Sequence, residues 1–276
     1  MPNEESKKPK IITIASGKGG VGKSVISANM ANILSIYGYK VAIFDASLGL
    51  SNQDIILNVK ARKSLIDFLK GECSLSEVII EIKENFLLIP ADSGDEIFDF
   101  DPQTILDSFN YQSSFLKDFD YIIFDTSSGI GEGVVTFMQN SDEIIVVTEP
   151  TPCAITDAYA TIKIASKYSQ NISLILNRVS SAHEGNLIYD KIKKVATKNL
   201  EKDTNLTHLG SITASQTIVK SSKYRQLFTD KYPNSLSSHE LNEIIKNLVY
   251  KLEHKVLYSQ RRKSFTVFVR RLIEKF

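Results

Sequence analysis

The feature that most constrains this chain is a glycine-rich segment, Gly17-Lys18-Gly19-Gly20-Val21-Gly22-Lys23-Ser24. It lies between an apolar run, Ile11 to Ala15, and a stretch of helical period that opens at Lys23. A GxxxxGKS pattern has a mechanical meaning only in that strand-to-helix context. Glycine lets backbone N–H groups close around an anion, and a helix that starts directly after the loop aims its positive end at the same point. The segment is therefore expected to wrap phosphate oxygens. Lys23 would bring a point charge to the β- and γ-phosphates, and the Ser24 hydroxyl would ligate Mg²⁺.

The remainder of the chain has the layout such a loop requires. Short runs rich in Ile and Val recur at Ile11 to Ala15, Val41 to Asp45, Phe86 to Pro90, Tyr121 to Asp125, Glu143 to Thr148 and Ile172 to Asn177. Runs without alternation are what a parallel sheet covered on both faces demands. Helical period appears between them at Lys23 to Tyr37, Pro102 to Leu116, Ile155 to Tyr168, Asn186 to Asn199 and Ser237 to Tyr258. The expectation is an α/β fold with a single doubly wound, mostly parallel sheet, a P-loop NTPase domain over residues 11–258. A polar tail, residues 1–10, precedes it, and an amphipathic segment, residues 261–276, is appended. No internal repeat or low-complexity linker marks a second domain.

Charge and cysteine content narrow the function. With 33 basic against 32 acidic residues the net charge is +1, so no global field draws the chain to nucleic acid. Cys73 and Cys153 form no CxxC pair and lack a histidine pair at zinc-ligand spacing, which suits a reducing cytoplasm. Met1 to Lys10 has no apolar core of a signal peptide, and no segment reaches the ~18 to 20 apolar residues of a membrane span.

Asp45 and Asp125 close two of the apolar runs, where open α/β sheets place ligand-binding residues; either could instead cap a following helix. Asn177 ends another run, although asparagine is also common in turns. No NKxD guanine-reading motif is present, which favours ATP over GTP. At the C-terminus Phe265, Phe268, Val269, Leu272, Ile273 and Phe276 form one helical stripe. Arg261, Arg262, Lys263, Arg270, Arg271 and Lys275 flank it against the single acid Glu274. That is the composition of a short in-plane membrane helix; the same stripe would serve a final helix packed on the domain.

The second lysine of the loop, Lys18, makes the motif resemble that of the deviant Walker A ATPases, the family of MinD, ParA, the nitrogenase iron protein and the arsenite-pump ATPase. Asp125-Thr126-Ser127-Ser128-Gly129-Ile130-Gly131 resembles the family's switch II. Asp45-Ala46-Ser47-Leu48-Gly49-Leu50-Ser51-Asn52-Gln53-Asp54 resembles its switch I pattern, DxDxGLxNxD. The resemblance implies an ATPase using ATP and Mg²⁺, with Lys18, Lys23 and Asp45 as candidate catalytic residues and Lys18 reaching the partner's phosphates in an ATP-dependent homodimer. It assigns the nucleotide to Gly17, Lys18, Gly19, Gly20, Val21, Gly22, Lys23, Ser24 and Asn177, and the metal to Ser24 and Asp125, the latter through water. Leu209-Gly210-Ser211-Ile212 resembles the strand that precedes the second base-contacting segment. Ser47 departs from the pattern. It replaces the carboxylate held to orient or activate the attacking water, so slow hydrolysis is expected.

Ile56-Leu57-Asn58-Val59, Leu69-Lys70-Gly71-Glu72-Cys73-Ser74-Leu75, Gly94-Asp95-Glu96-Ile97-Phe98 and Ala154-Ile155-Thr156-Asp157-Ala158-Tyr159-Ala160 are closer to the FlhG type, MinD-like regulators of flagellar number and placement. That implies reversible attachment to the inner face of the cell membrane and, as partners, flagellar assembly proteins or an FlhF-type GTPase. Met1 to Lys10 contains no DQAxxLR segment of the kind that stimulates FlhF. Two other classes stay open: a ParA-type partitioning ATPase acting on nucleic acid or cell-division proteins, and an iron–sulfur carrier, whose paired cysteines are missing.

Overall fold

The alternation of side chains along each strand explains why the apolar runs lack a polar face. In a computed structural model, which describes residues 8–47, 52–63, 65–90, 101, 118–200 and 204–257, consecutive strand residues enter opposite cores. Ile12, Ile14, Val41, Ile43, Tyr121, Ile123, Ile145 and Val147 belong to one cluster. Ala42, Phe44, Ile122 and Phe124, and farther along the sheet Ile144 and Val146, belong to clusters on the other face. Both faces are covered, so both parities must be apolar.

The strands are β1 (Lys10–Ser16), β2 (Val41–Ala46), β3 (Ile80–Lys83), β4 (Phe86–Ile89), β5 (Tyr121–Ser128), β6 (Glu143–Thr148), β7 (Asn171–Val179) and β8 (Asn205–Thr213). They form one sheet in the order β3-β4-β2-β5-β1-β6-β7-β8. Every pairing is parallel except that of edge strand β3 with β4. The described helices are α1 (Lys23–Ile36), α2 (Gln53–Ile56), α3 (Leu65–Leu69), α4 (Leu75–Val78), α5 (Glu132–Gln139), α6 (Pro152–Ala165), α7 (Ala182–Asn199), α8 (Gln216–Lys223), α9 (Phe228–Lys231) and α10 (Leu236–Glu253). Helices α1 and α10 cover one face, and α5, α6 and α7 contribute to the cores of the other.

All six runs read as strands are strands. Four of the expected helices correspond to α1, α6, α7 and α10. The last stops at Glu253 rather than Tyr258, because His254 takes a left-handed conformation (φ 55°) that ends the helix. Strand β3 and the short helices α2, α3, α4, α8 and α9 carry too few residues for a period to show. The expected helix at Pro102 to Leu116, the appended segment 261–276 and switch I residues Leu48 to Ser51 lie outside the described residues.

Candidate nucleotide site

The loop reaches its position because two glycines admit close neighbours. A Cβ on Gly17 would lie 2.4 Å from the backbone oxygen of Asp157 in α6. Gly22 has φ 93°, and a Cβ there would lie 2.4 Å from Asn177 Nδ2. Gly22 is also the N-cap of α1 and supplies no side-chain hydrogen bond, so the helix presents its first N–H groups to the cleft. Asn177, at the end of β7, braces the loop. Its Nδ2 donates to the Val21 carbonyl at 2.7 Å, and its Oδ1 accepts from Arg178 N at 2.9 Å.

Register brings the two aspartates together. Asp45 on β2 pairs directly with Asp125 on β5, and both share the parity that faces α1. Two adjacent buried carboxylates demand donors, and each finds a different set. Asp125 Oδ1 accepts from Lys23 Nζ and Ser27 Oγ, both at 3.0 Å, while Oδ2 accepts from Gln53 Nε2 at 2.7 Å. Lys23 also donates to the Thr126 carbonyl. Asp45 instead takes backbone N–H groups, from Ser47 at 3.1 Å, Asn52 at 2.8 Å and Gln53 at 2.9 Å. Its carboxylate therefore ties down the chain entering α2. Ser47 is buried, and its hydroxyl donates to the Asp125 carbonyl at 3.2 Å.

Lys18, partly exposed, is held outside the cleft lining by an ion pair. Its Nζ meets Glu149 Oε1 at 3.0 Å, and Arg178 holds the other oxygen of the same carboxylate at 2.9 Å. The hydrogen bond from Lys18, joined by that from Arg178, holds the Glu149 carboxyl below the usual carboxylate range. A cleft of about 530 Å³ is lined by Gly19, Gly20, Lys23, Ser24, Ser47 and Thr126 among others. A second, of about 430 Å³, shares Gly22, Val25 and Arg178 with it and continues past Asn177 to Thr213 and Gln216. One arm suits phosphates and the other a base.

The donors at the phosphate end are hydroxyl, carboxylate and carboxamide oxygens, the hard set that Mg²⁺ takes. Among the described residues the buried Gln53 Oε1 has no hydrogen-bond partner. The structure thus brings Gly17, Lys18, Gly19, Gly20, Val21, Gly22, Lys23, Ser24, Asp45, Asp125 and Asn177 to one end of the sheet. Sequence reasoning missed Ser27, Gln53 and Glu149. Glu149 was within reach, since it directly follows β6 at the same carboxyl edge that singled out the two aspartates. Gln53 carried no signal, because the switch I pattern leaves its position unspecified.

Residues 7–249 match the family model described as ParA: NUBPL iron-transfer P-loop NTPase. The chain belongs to the MinD/ParA family of P-loop NTPases. It is 44% identical over 245 residues to the flagellum site-determining protein YlxH of Helicobacter pylori, covering 88% of this chain and 83% of that protein. It is 29% identical over 268 residues to the antiactivator FleN of Pseudomonas aeruginosa, covering 96% and 94%. Its fold matches that of the septum site-determining protein MinD of Pyrococcus horikoshii, solved with Mg-ADP. The TM-score is 0.76 at 23% identity, over 91% of this chain and all of that one. As a member of this family, the chain is an ATPase that uses ATP and Mg²⁺, of the site-determining MinD, FleN and FlhG type. Among the described residues no group of His, Cys, Asp and Glu is arranged to hold a metal by itself.

Proposed function

We propose that this ATPase is a nucleotide switch that dimerises on ATP, attaches to the membrane and governs flagellar number or placement. The observation that carries the reading is its 44% identity, over 88% of its length, to a flagellum site-determining protein. The loop glycines and the N-terminus of α1 bind the phosphates, and Lys23 leaves Asp125 to meet them. Ser24 and Asp125 would then hold Mg²⁺ at the phosphate end. The chemistry Mg²⁺ would supply there is neutralisation of the phosphate charge. Asn177 and the arm lined by Thr213 and Gln216 take the base.

Lys18 supplies the contact to the partner's phosphates, and Glu149 holds it in place until that partner arrives. Ser47 orients no proton acceptor, so turnover is slow. Segment 261–276 is the membrane anchor. A single short helix binds weakly, and pairing two by dimerisation raises the affinity through effective concentration. No described helix is long and apolar enough to cross a membrane.

Liposome co-sedimentation tests the switch. Full-length protein should pellet with anionic vesicles in ATP and not in ADP, and deletion of residues 265–276 should abolish pelleting. Binding that is equal in both nucleotides rejects it. Deleting the coding sequence in its own organism and counting flagella tests the cellular role; an unaltered flagellar pattern rejects that.

A further inference from the structure

Gln53 is the first residue of α2 and is fully buried. Its amide nitrogen donates to two acceptors, Asp125 Oδ2 at 2.7 Å and the Ser24 backbone carbonyl at 3.0 Å. Because both partners only accept, the amide orientation is fixed by chemistry, and the carbonyl oxygen must be the atom left over. Among the described residues that oxygen is buried without a partner. An unpaired buried amide oxygen is a costly arrangement. It is tolerated where a ligand completes the bonding. Both residues that Gln53 grips are the ones assigned to the metal, Ser24 by its hydroxyl and Asp125 through water.

We propose that Gln53 is a positioning residue of the metal site. Its amide holds Asp125 in place when nucleotide draws Lys23 away, and its carbonyl accepts a hydrogen bond from a water of the Mg²⁺ shell. Lys23 and Ser27 share Asp125 Oδ1, so departure of Lys23 leaves Gln53 as the donor on Oδ2. A carboxamide orients water and cannot take its proton, so Gln53 aids alignment without replacing the carboxylate absent at Ser47. The proposal rests on binding of ATP and Mg²⁺ and is independent of the flagellar role.

The test compares full-length wild type with Gln53→Leu and the near-isosteric Gln53→Met. It measures the affinity of a fluorescent ADP in EDTA and again in saturating Mg²⁺. The wild type should bind more tightly with Mg²⁺. In both variants the affinity in EDTA should stay within about twofold, while the Mg²⁺-dependent gain shrinks roughly three- to tenfold, the size of one hydrogen bond. KM for Mg-ATP should rise by the same factor, because with slow chemistry KM follows the dissociation constant. A purely structural strut would weaken binding equally in both conditions, and that result, or an unchanged Mg²⁺ gain, overturns the proposal. If the wild type itself shows no Mg²⁺ gain, the metal-site reading fails together with the proposal. Should both variants fail to fold, a crystal structure of wild type with Mg²⁺ and a non-hydrolysable ATP analogue decides. A metal-shell water within hydrogen-bond reach of Gln53 Oε1 supports the role, and a protein donor on that oxygen overturns it.

Discussion

Strand β5 carries two buried polar networks, one at its start and one at Asp125, and the two are built on different principles. At its start Tyr121, fully buried, donates to Glu253 of α10. Glu253 also takes the Tyr39 hydroxyl at 3.4 Å and Lys255 at 2.9 Å. Burial first, then the Glu253 hydrogen bond and charge, push the Tyr121 phenol far above its ordinary pKa, so it stays a donor. Farther along the strand Asp125 pairs with Lys23 of the phosphate loop, and it does so beside the cleft that the proposed function gives to nucleotide. The first network joins the last described helix to the sheet with partners no ligand requires. The second uses a lysine of the phosphate loop, which in the proposed function leaves Asp125 for phosphate, so its pairing would be exchangeable. A polar cluster is structural or functional according to whether its donors have a second use, and burial alone does not distinguish the two.

The contrast can be broken most sharply at Lys23. Lys23→Ala should weaken ATP binding by more than about 100-fold. It should also lower the stability of the nucleotide-free protein by ~3 kcal/mol, because Asp125 is left buried without its cation. Calorimetric titration and urea unfolding measure the two effects. Glu253→Ala should act on one property only. Stability should fall by about 2 kcal/mol, from the unsatisfied Tyr121 hydroxyl, with nucleotide affinity unchanged within about twofold. A larger change in affinity would mean that the two ends of β5 are coupled.

Ser47→Asp sharpens the functional end, since it restores a carboxylate beside the Asp125 carbonyl. ATP turnover should rise about tenfold, at the low end of general-base effects because the site was not built around it. A coupled phosphate-release assay checks this, and an unchanged rate would overturn the role proposed for Ser47. The smallest effect is expected at Glu149. Glu149→Gln frees Lys18 and Arg178 and should strengthen the ATP-dependent dimer roughly threefold, as read by light scattering, since partly exposed pairs contribute little. The lowered Glu149 pKa means that its contribution is present above the ordinary carboxylate pKa and fades as pH falls through the lowered value. Dimer formation should therefore show no Glu149-dependent change between about pH 6 and 8.

Much of the site was legible because its parts have local requirements. Gly17, Gly20 and Gly22 stand where backbone must approach closely or turn left-handed, and Asp45 and Asp125 close apolar runs that announce their strands, although β5 continues to Ser128. Elements of only a few residues, such as α2 and β3, left no periodic trace. The family resemblance offers Asn177 to the base; the structure shows its bonds to Val21 and Arg178, which make it a brace of the loop that its sequence context does not disclose.

The sequence alone determined the phosphate loop, the parallel sheet and the family, because each depends on residue types at fixed short spacing. Only the tertiary structure decided that Asp45 faces Asp125 in register, that Gln53 reaches Asp125, and that Glu149 holds Lys18. Those pairings join residues far apart in the chain through strand order and crossover length, and no local spacing encodes them. The Gln53 carbonyl is the clearest case: a side chain unremarkable in the sequence becomes an unpaired buried acceptor only when β2, β5 and α1 meet around it.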